Sequence, residues 1–153
     1  MHADRTRVEE FVYSTCMLMD DGDYPGFMAL CDPEFHYEIA AYSPEIRQEM
    51  TWMDRDRKEF EEFLLKMLPK HNSDHSPLTR NAVIYRVEMN GETAKVTSAF
   101  QIFRTSLDGG ATSLFAVGRY EDTVAIDGDT LRLKERRVKL STRDLGWGYH
   151  VPL

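Results

Sequence analysis

His36 and Glu38 stand two positions apart in the run FHYEIAA (residues 35–41), where alternation puts both on one face of a strand. An imidazole beside a carboxylate has the makings of a general acid–base pair, and a hydrophobic pocket tunes such groups for proton transfer. Asp32, Tyr13, Tyr37 and Tyr120 complete the set of side chains suited to isomerisation, dehydration or cyclisation. The same alternation favours a plainer assignment. Phe35, Tyr37 and Ile39 take the core face, which leaves His36 and Glu38 to solvent or a neighbouring subunit.

A mononuclear iron site needs two histidines and a carboxylate. His71, Asp74 and His75 supply those types, but they fall between Pro69 and Pro77 in a stretch rich in Asn, Ser and Asp, so a loop is expected. A Rieske cluster needs C-x-H and C-x-x-H pairs. Cys16 and Cys31, the chain's two cysteines, are each followed by neither, and they are expected to be reduced thiols. There is no G-x-S-x-G elbow and no glycine-rich phosphate loop. The hydrophobic side chains Trp52, Phe60 and Phe63 are expected in the core.

These groups must be positioned by two kinds of element. Val8, Phe11, Val12, Thr15, Cys16 and Met19 recur at helical spacing after Thr6-x-x-Glu9, a capping-box pattern, so a helix is predicted to about Asp20. A short helix starts near Asp23, and a strand covers 35–41. From about Asp54 a further helix presents Phe60, Phe63, Leu64, Met67 and Leu68, and Pro69 is expected to close it. The second half changes period. Residues 78–89 are β-rich, Asn90-Gly91, Asp108-Gly109-Gly110 and Asp127-Gly128-Asp129 mark turns, and long strands lie between. In the last strand Leu131 and Leu133 share one parity while Val138 and Leu140 share the other, which predicts a bulge or sharp bend near Glu135. Helices first and an antiparallel meander afterwards indicate an α+β fold.

The 153 residues fit one domain spanning 1–153, and the net charge of −7 disfavours nonspecific binding to nucleic acid or an anionic membrane. Arg132, Lys134, Arg136, Arg137 and Lys139 form a basic cluster, but strand alternation divides it between two faces. The start lacks a signal-peptide core and no run approaches a membrane span, so a cytoplasmic protein is expected.

Several segments together resemble the small (beta) subunit of bacterial aromatic-ring-hydroxylating dioxygenases. FVYSTCMLMDDGDYPGFMALCDPEFHYEI (Phe11–Ile39) is similar to that family's opening, and MDRDRKEFEEFLLKM (Met53–Met67) to the acidic start of its third helix. Thr79-Arg80-Asn81 stands where the family usually has an arginine–histidine pair, so the histidine is missing. Gly118-Arg119-Tyr120-Glu121-Asp122 stands where Gly-Arg-Arg-Glu-Asp is common. The resemblance implies the cone-shaped fold of nuclear transport factor 2 and the steroid isomerases, with a strongly curved, mainly antiparallel sheet around about three N-terminal helices. It also implies a noncatalytic trimer within an alpha3beta3 complex, whose alpha subunits hold the Rieske [2Fe-2S] cluster and the mononuclear iron. Some members of the group belong to complexes acting on other small molecules, such as methanesulfonate.

The segment 146–153 is apolar and aromatic. Trp147, Tyr149, His150, Val151 and Leu153 are therefore expected either to pack across the protein's own sheet or, the reading favoured, to sit at an intersubunit contact. The expected function is a structural small subunit of an oxygenase. The alternatives are a stand-alone acid–base enzyme of the same fold and a ligand-binding module.

Overall fold

The computed structural model of the protein describes residues 4–71, 75–145 and 152–153. Helix α1 (Arg5–Asp20) leads to α2 (Tyr24–Ala29), strand β1 (Cys31–Ser43) and strand β2 (Gln48–Asp56). Helix α3 (Arg57–Glu62), a π-helical turn (Phe63–Met67) and α4 (Leu68–His71) follow. Then come β3 (Leu78–Met89), β4 (Thr93–Thr105), β5 (Thr112–Asp127) and β6 (Thr130–Leu140). The six strands form one sheet in the order β2-β1-β6-β5-β4-β3, parallel between β1 and β6 and antiparallel elsewhere. This is the α+β arrangement that the change of period predicts.

The helices lie against one face of this sheet, with α1 on β3 and α3 on β1. Val8, Val12, Cys16 and Met19 form the buried stripe of α1. Its start differs from the capping-box prediction: Asp4 is the cap and accepts from the Arg7 amide, and Thr6 lies within the helix. The capping box belongs to α3, where Asp56 and Glu59 satisfy each other's backbone amides. That helix begins later than its composition suggests because β2 runs through Asp56.

Strand β2 is the element that the periodicity misses. It pairs with β1 through a short turn, and a register shift opposite Ile39/Ala40 leaves Trp52 out of the ladder. Trp52 is 39% exposed there, not in the core, while Phe60 and Phe63 are buried as expected. Pro69 does not close its helix either. The preceding turn widens, with the Leu68 amide bonded to the Phe63 carbonyl, and the chain remains helical to His71. Such a widening relieves the clash that a proline ring makes with the carbonyl four residues earlier. Met67 is exposed as a result of this change of phase.

The predicted bend in β6 forms. Thr123 pairs with Glu135 and Val124 with Leu133, so Lys134 is the extra residue and inward-facing parity passes from Leu133 to Arg136, Val138 and Leu140. Phe27, Phe35, Tyr37, Phe60, Phe100 and Leu133 make the main core, and Val8, Val12, Ala94, Val96 and Val124 a smaller cluster beside it. Tyr37 stacks on Phe60 at 4.3 Å between centroids, and Phe100 on Tyr120 at 4.4 Å. Gly118 is required by this packing, since a Cβ there would collide with the Lys139 carbonyl and lie 2.9 Å from the Phe100 ring.

Candidate functional site

Three places could carry function: the interior of the curved sheet, the opening beside α1 and β3, and the outward face of the sheet.

The interior is built around Arg136. Its guanidinium donates to both oxygens of Asp122, at 2.9 and 3.1 Å, and to the Thr15 hydroxyl at 2.7 Å. It lies 4.6 Å from the centre of the Tyr120 ring and 5.8 Å from that of Phe27. Burial works against this charge, but Asp122 outweighs it and holds the guanidinium protonated well above its ordinary range. The basic cluster of residues 132–139 is thus divided between two faces, with Arg136 on the inner one. Lys134, Arg137 and Lys139 do face outward, paired with Glu34, with Glu38 and Glu49, and with Glu121. The signal for Arg136 is the phase change itself, because beyond Lys134 it shares parity with Val138.

Tyr37 and Tyr120 are the acid–base candidates that enter this interior. Desolvation raises both phenols, Tyr120 to about 12. A phenol held neutral in this way donates hydrogen bonds and is a poor base near neutrality. The other candidates are not brought together with them. His36 faces outward against Asp54, and Glu38 meets Arg137 at 3.2 Å. The Asp32 carboxylate accepts from the Glu34 amide, and the Tyr13 hydroxyl from the Ile84 amide. Cys16 and Cys31 are buried free thiols, and desolvation lifts Cys31 to about 12. Thiols of this kind are protonated near neutrality and are poor nucleophiles.

Among the described residues no group of three or more His, Cys, Asp or Glu could hold a metal ion. His75 is exposed, His71 ends α4, and Asp74 lies outside the described residues.

At the opening, the Tyr37 hydroxyl accepts from the Leu153 amide at 2.9 Å and donates to its carbonyl at 3.0 Å. Arg80, whose guanidinium binds Asp20 at 2.8 Å, donates to the Pro152 carbonyl at 2.6 Å. Leu153 is 1% exposed and joins the main core. That placement corrects its assignment to an intersubunit contact, because its side chain and backbone are consumed within the protomer. Trp147, Tyr149, His150 and Val151 lie outside the described residues.

The outward face of β3, β4 and β5 carries a shallow groove of about 460 Å³ lined by Val83, Tyr85, Ala99, Gln101 and Arg119. Tyr85 sits at a register shift in β3 and is 60% exposed, with the Arg119 guanidinium 5.7 Å from its ring centre. Val83 and Leu114 are also exposed on this side of the molecule. Exposed aromatic and aliphatic groups with an arginine are the composition of an association surface.

Comparison with known proteins matches residues 15–145 to the ring hydroxylating beta subunit family. The chain is 41% identical over 155 aligned positions to the methanesulfonate monooxygenase hydroxylase beta subunit of Methylosulfonomonas methylovora, covering 95% of this chain and 85% of that protein. It is 30% identical to the 2-aminobenzenesulfonate 2,3-dioxygenase beta subunit of an Alcaligenes species, covering 98% and 99% of the two chains. Among solved structures, a protein of the nuclear-transport-factor-2-like, cystatin-like fold from Novosphingobium aromaticivorans superposes with a TM-score of 0.66 at 16% identity, covering 92% of this chain and 84% of that one.

Proposed function

The chain belongs to the ring hydroxylating beta subunit family and is a small subunit of an oxygenase complex; from that premise we propose that its role is structural, with the oxygen chemistry carried by an alpha subunit. The observation that carries this reading is the Arg136–Asp122 pair. It occupies, together with Tyr37, Tyr120 and Phe27, the interior where an acid–base enzyme of this fold would need room for substrate. The Rieske cluster and the mononuclear iron belong to the alpha subunit, a reading supported by the lack of C-x-H and C-x-x-H pairs at Cys16 and Cys31.

The assembly is a cytoplasmic alpha3beta3 complex in which three copies of this chain hold the alpha subunits in a ring. The outward groove with Val83, Tyr85 and Arg119 supplies association surface that the protomer's own core does not use. The acceptor of oxygen is a small sulfonate. Both curated relatives named above belong to sulfonate oxygenases by name, and the monooxygenase subunit is the more similar of the two.

The test is co-production with a large oxygenase subunit bearing C-x-H and C-x-x-H pairs. The two chains should purify together, with iron and acid-labile sulfide in the large subunit and oxygen uptake dependent on methanesulfonate. A small chain that turns over a substrate by itself would defeat the structural reading. Turnover of 2-aminobenzenesulfonate in place of methanesulfonate would defeat the substrate assignment alone.

A further inference from the structure

We propose that the outward groove of β3, β4 and β5 receives the β1–β2 hairpin of a second copy of this chain, so that copies join head to tail. The contact presupposes the trimer proposed above. One patch meeting itself is a two-fold contact and gives a dimer, whereas a closed ring of three needs two different patches on each copy. A chain that uses the groove in a trimer must therefore carry a second patch elsewhere.

The topology narrows where that patch lies. Strands β2 and β3 are the two edges of the sheet. At the β3 edge, side chains of α1 already occupy backbone amides. The Asp20 carboxylate accepts from the Arg80 amide at 3.0 and 3.2 Å, and the Tyr13 hydroxyl accepts from the Ile84 amide at 3.0 Å. These amides are not available to an added strand, so a sheet continuous from copy to copy is disfavoured there. The neighbour is left the outer face, where the groove lies.

The hairpin at the opposite edge has the matching chemistry. Tyr42 and Ile46 are each 58% exposed, and Trp52 stands beside them at the register shift of β2. Tyr13 apart, the large exposed apolar side chains outside the groove and the hairpin are methionines and leucines, such as Met17, Met67 and Leu107. Aromatic side chains are the more usual anchors of association. Charge agrees with this choice. Among the described residues Arg119 has the Tyr85 ring beside it and no carboxylate. Residues 44–49 carry Glu45 and Glu49 against Arg47, and both glutamates remain exposed beside their bonds to Arg143 and Arg137. A hairpin carboxylate brought to Arg119 makes a charge-assisted contact.

The test is sedimentation and crosslinking of the full chain. Ile46→Asp alters an exposed side chain, so circular dichroism should be unchanged while association weakens by about 30-fold or more, the scale of a lost anchor. Gln48→Cys on the hairpin and Gln101→Cys in the groove, combined in one chain, should be joined by a bismaleimide into covalent dimers and trimers. Neither substitution alone should give them, since Cys16 and Cys31 are buried. Covalent dimers from Gln101→Cys alone would reveal a two-fold groove contact and overturn the proposal. A chain that stays trimeric with Ile46→Asp, or whose double-cysteine form is not joined, overturns the head-to-tail contact and leaves the trimer standing. An unmodified chain that sediments as a monomer at every concentration removes the trimer itself, and the proposal with it.

Discussion

Asp122 and Arg136 are directly opposed across β5 and β6, and their side chains meet inside the cone with 0% and 1% exposure. Removing two charges from water costs several kcal/mol for each. The arrangement persists because two hydrogen bonds, the Thr15 hydroxyl and two ring faces compensate them. The pair lies two positions from the bulge at Lys134, on the side where Arg136 shares the inward parity of Val138 and Leu140.

Breaking this pair on one side should be severe. Asp122→Asn or Arg136→Met alone should each lower stability by about 3–5 kcal/mol, because the remaining partner is left buried and uncompensated. The double variant Asp122→Leu, Arg136→Met should recover much of that loss. Urea denaturation of the four proteins checks this, and additive single losses in the double variant would refute the coupling.

High pH should destabilise the chain in a defined window. Tyr120 keeps its proton to about 12 and Cys31 likewise to about 12, against 10.0 and 9.0 for the free groups. Between those values the folded state binds more protons than the unfolded state, so stability falls as pH rises. It should be fully present below about pH 9 and decline from there towards 12. The phenolate absorbance of buried tyrosines should appear only with loss of the folded circular dichroism signal. Free titration of all tyrosines near pH 10 in the folded protein would contradict the burial of Tyr37 and Tyr120.

His36 points outward to Asp54, away from Tyr37 and Tyr120. His36→Ala in the assembled oxygenase should therefore leave turnover per iron site within a few-fold of the unmodified complex. A general acid–base group typically contributes about 10²–10⁴-fold. A loss of that size with the assembly intact would mean that this subunit takes part in the chemistry.

The outward groove predicts where self-association fails. Tyr85→Asp places a charge on a 60% exposed ring position and removes the partner of Arg119. Association should weaken by about 30-fold or more, the scale of a buried aromatic anchor worth ~2 kcal/mol. Sedimentation should show the change and circular dichroism should not. A variant that sediments as the unmodified chain does would move the contact to another face.

Local periodicity was sufficient for much of this protein. Period-3.6 spacing located α1, glycine turns separated β3 to β6, and the parity change between Leu133 and Val138 located the bulge, because each is a property of neighbouring residues. The exposed parity of His36 in β1 was legible for the same reason. Strand β2 was not, since its edge position exposes most of its side chains and leaves little alternation to detect. Pairings were beyond reach as well. Asp122 finds Arg136 only through the register of two strands, and Tyr37 reaches Leu153 across 116 positions. Which polar side chains enter the core, and which apolar end returns to fill it, depends on the closure of the sheet around the helices; that closure is a property of the whole chain, so no local pattern encodes it.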